Sequence, residues 1–361
     1  MGNILLVNDK LVSNPAMDNF WQELDREGYK FSRICTNQFI SGAITKNKFF
    51  GFIFCLLLPI TYVFVLAVLF WICKSKKCEI IACFSYFDKV LFTPAALLIG
   101  YKVIWFELPG ENNFYLSRFR KYFYKKYSKK IRVIVFSSSD KQTLSQIIDV
   151  QNVTVLYPGI RNHELKYQDN LFNKLAHIDQ SDFKKRYFTV GTVIDLDRPN
   201  YIEIIMNAIE KSLEVISNVQ FIVVGRGDEK KHFFWLAKKK KLENLIWFVG
   251  EQANLKRWFD SFDIFISCAK ETTLDDYFIA LEAMQSGLPV IAPVNAGFED
   301  IVYENKTGTL IEMDTSEMLI RQIIKLQQDK KLRQKLGELA RERVGEHFNL
   351  IKMVENLKKI L

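Results

Sequence analysis

The chain has 361 residues, 49% of them hydrophobic and 25% charged, with a formal net charge of +9 at pH 7. That length accommodates two domains of ordinary size, and the composition is that of a globular protein with no dominant low-complexity tract. Six cysteines and four histidines show no CxxC pair and no Cys/His cluster at ligand spacing, which argues against a structural zinc site and for reduced, buried thiols in a cytosolic protein.

In chain order, NILLVND (Asn3 to Asp9) reads as a buried strand, and the stretch through EGY reads as a helix. Between Lys48 and Lys74 lie 25 residues without a charge, FFGFIFCLLLPITYVFVLAVLFWIC. One helix of that length would reach about 37 Å, enough to cross a bilayer. The neighbours argue otherwise, because CEIIACFS, DKVLFTPAALLIG and YKVIWFELP follow as strand, helix and strand. A span would part the first strand from its sheet partners. Segment 49–73 is therefore expected to form a helix or re-entrant helical pair, broken near Pro59, that packs on the sheet and dips into one leaflet. A true span and a buried core helix are the alternatives. No signal peptide is read before it, and MGNILL lacks the Ser/Thr of a myristoylation site.

Residues 1–160 hold 20 Lys+Arg against 11 Asp+Glu, a net of +9 that equals the surplus of the whole chain. Much of it sits in RFRKYFYKKYSKKIR (Arg118 to Arg132), with eight cations, five aromatics and no acid. Arg118, Arg120, Lys121, Lys125, Lys126, Lys129 and Lys130 are the candidate contacts to an anionic membrane surface, where each cation contributes about 1 kcal/mol. A solvated basic helix is the plainer alternative. Nucleic acid is not expected as a partner, since no nucleic-acid motif accompanies the run.

RVIVFSSS, DKQTLSQIIDV and NVTVLYPGI continue the strand–helix alternation, and residues 166–186 read as a polar linker. The pattern then restarts with YFTVGTV, NYIEIIMNAIEKSLEVI, VQFIVVGRG, EKKHFFWLAKKKK, LIWFVG, LKRWFDSF, DIFISCA, DDYFIALEAMQSG and PVIAPV. One helical stretch is expected from Ser316 to the C-terminus. Such alternation implies parallel sheets covered on both faces. The organisation is read as an α/β fold of two Rossmann-like domains, 1–165 and 187–342, facing across a cleft. A terminal helix, 343–361, has packing back on the first domain as one placement. Ligands in such sheets bind at the carboxyl ends of strands.

The stretch LEAMQSGLPVIAPVNAGFEDIV (Leu281 to Val302) joins an acid on a small-residue helix, a stop at Gly287–Pro289, a short apolar strand and a Gly-containing loop. An acid that accepts from a ribose diol, beside backbone amides that cradle phosphate, describes a nucleotide-diphosphate site. Taken alone, Glu282 would more simply cap or salt-bridge its own helix. From Tyr187 to about Phe348, the ordered set VGTV, FIVVGRG, WFVG, FDIFIS, LEAMQSGLPVIAP, AGFEDIV and KTGTLI resembles the C-terminal half of glycosyltransferase family 4, whose fold is GT-B. The N-terminal half resembles the family only in element order and in the turn LYPGI.

The resemblance implies that Glu282 holds the donor ribose and that Asn295, Ala296, Gly297 and Phe298 bind the diphosphate through backbone amides. It implies a nucleotide-diphosphate sugar of UDP or GDP type as substrate, no cofactor, and catalysis by stabilising the leaving group. Thr192 stands where the family has an Arg and is kept as a donor-binding candidate, and Arg198 is the nearby cation for the companion Lys role, with Arg226 a weaker candidate. Leu274 stands where the first Glu of the family pair belongs. Glu271 and Asp275 are the alternatives for touching the donor sugar. Glu107, at a strand end beside Pro109–Gly110, is a candidate to orient or deprotonate the acceptor hydroxyl, or else a surface-loop carboxylate. Asp195-x-Asp197 resembles a metal motif of a different fold, and no catalytic metal is expected.

The function expected is retaining, metal-independent transfer from a nucleotide sugar to an acceptor, lipid-linked or another cell-envelope glycan precursor. Its expected place is the cytoplasmic face of a membrane, peripheral or monotopic, with bacterial polysaccharide or glycolipid synthesis as the setting. An eroded, catalytically silent scaffold and a nucleotide-sugar epimerase are the rival readings.

Overall fold

Strand and helix alternate along the computed structural model, which describes residues 3–7, 15–34, 67, 69–110, 118–161, 187–294, 297–313 and 316–361. Most of segment 49–73, the linker 166–186, Cys35, Cys55, Asn295 and Ala296 lie outside the described residues. Among the described residues no helix is long and apolar enough to cross a membrane. The chain divides into two compact units: Met1–Tyr157 with Leu350–Leu361, and Pro158–Asn349.

The first unit is built on six strands in the order β2-β1-β3-β4-β5-β6. They are β1 Asn3–Val7, β2 Lys30–Ile34, β3 Cys78–Cys83, β4 Lys102–Glu107, β5 Arg132–Val135 and β6 Val153–Val155. Every pairing is parallel. The central strands are apolar on both faces, as a sheet covered on both sides requires. Helices α1 (Pro15–Arg26), α2 (residues 69–76), α3 (Tyr86–Ile99), α4 (Arg118–Tyr127) and α5 (Ser138–Ser145) alternate with them. In α2, Leu69 and Cys73 are buried while Phe70 and Trp71 are exposed.

Helix α3 starts at a reciprocal cap, in which Ser85 accepts from the Asp88 amide and Asp88 accepts from the Ser85 amide. It ends at Gly100, in the left-handed conformation.

The second unit repeats the plan with six strands in the order β12-β11-β10-β7-β8-β9, again all parallel. They are β7 Phe188–Val193, β8 Val219–Val224, β9 Ile246–Gly250, β10 Ile264–Ile266, β11 Val290–Pro293 and β12 Gly308–Ile311. The helices are α6 (Ile202–Ser212), α7 (Lys230–Lys239), α8 (Leu255–Phe259), α9 (Leu274–Gln285), α10 (Ser316–Gln328) and α11 (Lys330–His347).

The single helical stretch expected from Ser316 is three helices. Asp329 interrupts the first break, its carboxylate accepting from the Leu332 amide to start α11. The second break falls at Phe348–Asn349, after which α12 (Leu350–Ile360) buries Leu350, Met353, Val354, Leu357 and Ile360 in the first unit. Lys358 of α12 pairs with Glu27 at 2.7 Å.

Candidate functional site

In the second unit, the loops after β7 and β8 and the start and end of α9 gather most of the expected donor residues. Gly225 lets two of these loops meet: with φ of +144°, its Cα lies so close that an added Cβ would come within 1.7 Å of the Ile194 carbonyl. The Leu196 amide donates to the Arg226 carbonyl at 2.8 Å, completing the contact. The Gly-Arg-Gly spacing is thus explained by backbone packing. Arg226 itself is exposed and pairs loosely with Glu251 at 3.4 Å.

Asp195 and Asp197 spend carboxylate oxygens on local amides, Asp195 accepting from Asp197 and Asp197 from Glu229, each at 3.1 Å. Among the described residues, no three His, Cys, Asp or Glu side chains gather in a metal-holding group.

Thr192 corrects an expectation. It was a candidate for the donor contact, but its side chain is fully buried between strands and shares a hydrogen bond with the Cys268 thiol at 3.1 Å. A hydroxyl in that position serves the β7–β10 seam. Burial pushes the Cys268 thiol up to about 12, so it is an unreactive neighbour.

Arg198 is the organising cation. Its guanidinium donates to the Asp276 carboxylate at 3.0 Å, to the Thr273 hydroxyl at 3.3 Å and to the Glu271 carbonyl. Asp276 also accepts from the Thr273 amide at 2.7 Å and hydroxyl at 2.8 Å, forming the cap that begins α9. Arg198 therefore ties the loop after β7 to the helix carrying Glu282, and its fork is largely occupied. Asp276 is the nearby acid to which the sequence reading gave no role, preferring Glu271 and Asp275, although the Thr-x-x-Asp spacing was a visible cap signal. Glu271 and Asp275 flank this network with exposed side chains, and Leu274, in the first turn, is buried. Lys270, also passed over, extends an exposed side chain over the Tyr201 ring at 5.3 Å.

At the other end of α9 stands Glu282. It is half-buried, and among the described residues no hydrogen bond or ion pair reaches its carboxylate. Burial, the sole cause, pushes its carboxyl above the usual range. The helix stops one turn later at Gly287, whose φ of +81° is the left-handed conformation that favours glycine. Arg341 from α11 donates to the Gln285 and Ser286 carbonyls at 3.0 Å each, satisfying the helix end. Strand β11 then leads to the Gly-containing loop. Gly297 (φ +80°) precedes a 3-10 turn, Phe298–Asp300. Phe298 is fully buried and meets Tyr277 of α9 edge-on at 5.5 Å, which fastens the loop to the helix carrying Glu282.

In the first unit, Glu107 is not a surface-loop carboxylate, nor is it open to an acceptor as the sequence alternative requires. It is 1% exposed and pairs with Lys89, 0% exposed, at 2.8 Å. The Tyr124 hydroxyl donates to the same carboxylate at 3.2 Å. Burial pushes the Glu107 carboxyl up, against the opposing pull of Lys89 and Tyr124. A carboxylate so enclosed has no route to an acceptor hydroxyl. The reason is that β4 is an interior strand whose end is covered by α3 and α4.

Helix α4 turns Phe123 and Tyr124 into that core and leaves Phe119 and Tyr122 exposed, at 62% and 63%. Arg118, Lys121, Lys125 and Lys126 are exposed on the helix, as are Lys129 and Lys130 just beyond it. Arg120 is partly covered, lying over the Tyr86 ring at 4.0 Å.

Residues 173–343 match the family described as "Glycosyl transferases group 1". The chain is 25% identical to the N-acetyl-alpha-D-glucosaminyl L-malate synthase of Bacillus anthracis, over 50% of this chain and 49% of that protein. It is 22% identical to the poly(ribitol-phosphate) alpha-N-acetylglucosaminyltransferase of Staphylococcus aureus (strain COL), over 65% of this chain and 44% of that one. The chain thus spans about half or less of the length of these curated relatives. A glycosyltransferase structure from Rickettsia africae superposes with a TM-score of 0.76 at 18% identity, covering 99% of this chain and 97% of that one. That likeness shows the fold, which is the GT-B fold expected from the sequence.

Proposed function

From the premise that this chain, through residues 173–343, belongs to the group 1 glycosyl transferases, we propose that it transfers a sugar from a nucleotide-diphosphate donor to a glycan or lipid-linked acceptor. The observation that carries the reading is Glu282, a half-buried carboxylate without a protein partner among the described residues, on a helix fastened to the Gly297–Phe298 loop. Desolvating an acid without pairing it is unfavourable unless a ligand supplies the donors, and a ribose diol supplies two. In this reading the diol donates to Glu282, and backbone amides of the Asn295–Phe298 loop receive the diphosphate.

Arg198 positions the start of α9, and its positive charge lies near the loop end of β7 where leaving-group charge would develop. Among the described residues no second carboxylate is placed as a nucleophile, so front-side attack with retention of configuration is the proposed course, without a metal. The two curated relatives are named for N-acetylglucosaminyl transfer, to L-malate in one and to poly(ribitol-phosphate) in the other. An N-acetylhexosamine donor is therefore the first to try, as its UDP or GDP conjugate. The lipid-linked acceptor and the placement on a cytoplasmic membrane face rest on α4, whose exposed cations and aromatics suit an anionic surface.

Titration calorimetry with UDP, GDP and their sugar conjugates tests the donor site. Micromolar binding of one nucleotide, lost in Glu282→Ala, is expected; a folded protein that binds none of them ends the reading. Anomeric proton coupling in the product then reads retention directly. A second reading, an eroded binding protein, is favoured by the buried Thr192 and by Leu274 where the family carries Arg and Glu. Nucleotide binding without any turnover of donor would select it.

A further inference from the structure

Helix α7 carries the run Lys230–Lys239, KKHFFWLAKK, in which no residue is acidic. Its inner side is settled: Phe233 and Ala237 are buried, and Phe233 stacks on Phe248 of the edge strand β9 at 6.4 Å. Its outer side is amphipathic in an unusual way. Phe234 and Trp235 stand 54% and 56% exposed, with exposed Lys231, Lys238 and Lys239 on the same helix and exposed Lys241 two residues past its end.

Some of the polar side chains are used locally. Lys240 pairs with Glu210 at 2.6 Å and His232 with Glu203 at 3.3 Å, while Lys239 lies over the Trp235 ring at 5.3 Å. Among the described residues, no ion pair engages Lys231, Lys238 or Lys241. A surface that exposes two large aromatics amid uncompensated lysines is poorly matched to water. It is well matched to an anionic bilayer interface, where Phe and Trp enter the headgroup boundary and lysines remain among lipid phosphates.

We propose that the outer face of α7 is a docking surface for anionic phospholipid, with Phe234 and Trp235 as the inserted side chains and Lys231, Lys238 and Lys241 as the headgroup contacts. It is a second contact, in the other unit from α4, and rests on the reading that the protein works at an anionic membrane. Lipid is favoured over a polyanion such as nucleic acid because Phe234 and Trp235 project from a convex helix face with the cations around them, rather than lining a groove that tracks a strand. Lipid is also favoured by the indole, whose apolar body and single N–H suit the interface.

The full chain is floated with vesicles of phosphatidylcholine alone and with about one third phosphatidylglycerol, at low and high salt. Parent protein is expected on the anionic vesicles only, with binding weakened by salt. The Lys231→Glu/Lys238→Glu/Lys241→Glu variant is expected to lose about tenfold or more in partitioning. Trp235→Phe should remove the blue shift and bromolipid quenching of intrinsic fluorescence, while nucleotide binding stays unchanged in both variants.

A parallel variant reverses Lys121, Lys125 and Lys126 on α4. If the parent binds, the α4 variant fails and the α7 variant binds as well as the parent, this proposal is overturned and the α4 reading stands. No binding of the parent to anionic vesicles overturns both. Tighter binding to a mixed-sequence oligonucleotide than to vesicles overturns the choice of lipid. Thermal melting confirms that each variant is folded, and a Lys→Gln triple at the α7 positions, expected to show an intermediate loss, replaces any charge reversal that is not.

Discussion

Glu107 in the first unit and Glu282 in the second are both carboxylates withdrawn from water, and burial pushes both carboxyls upward. Their surroundings differ completely. Glu107 has an ammonium at 2.8 Å and a phenol at 3.2 Å inside an aromatic core. Glu282 has neither, among the described residues. The difference separates an acid that the fold has consumed from one that it has prepared. A buried group whose needs are met within the protein is part of the architecture, whereas one left without donors points to what binds there.

The sharpest way to break this comparison is to remove the partner of Glu107. Lys89→Met should cost about 3–5 kcal/mol in urea unfolding, because it strands a buried acid. Adding Glu107→Leu should recover most of that loss. A neutral single substitution would mean that Glu107 is already protonated and that the ion pair is nominal.

A smaller effect is expected at the bridge between the loop after β7 and α9. Arg198→Lys keeps the charge but loses the fork, and should destabilise by about 1–2 kcal/mol. Asp276→Asn should cost a similar amount, with the double variant much less than additive. Strict additivity would show that the two side chains act separately and that Arg198 is free to serve a ligand.

The smallest effect has the opposite sign. Because the folded carboxyl of Glu282 titrates above its unfolded value, its favourable contribution is fully present below the unfolded pKa. That contribution is lost as pH rises through the folded pKa. At neutral pH the ionised acid is therefore a burden, and Glu282→Gln should raise Tm by about 2 °C. The same substitution should weaken nucleotide binding at least about tenfold, the loss of one charge-assisted hydrogen bond. Lower stability with unchanged binding would place Glu282 with Glu107, as an acid that the fold has consumed.

Much of this was legible in the chain. Alternating strand and helix patterns gave both parallel sheets, and Gly287 and Pro289 marked the end of α9 where Arg341 now closes it. The Thr-x-x-Asp cap at Thr273 was equally readable, though its carboxylate drew no attention as the partner of Arg198. The break at Asp329 was missed because helix periodicity continues across it, and only the cap geometry reveals a new start.

What the sequence by itself determined, then, was everything carried by near neighbours: strand and helix identity, stops, and the ordered run from Leu281 to Val302. Tertiary structure alone decided which charged groups are spent. Lys89 and Glu107 meet across a helix–strand contact, Arg198 and Asp276 meet 78 residues apart, and Thr192 disappears against Cys268. Local pattern is written in the chain because backbone hydrogen bonding and hydrophobic periodicity act over a few residues. Pairing of buried polar groups is set by the packing of distant elements, and it is that pairing which, among the described residues, leaves Glu282 without a partner.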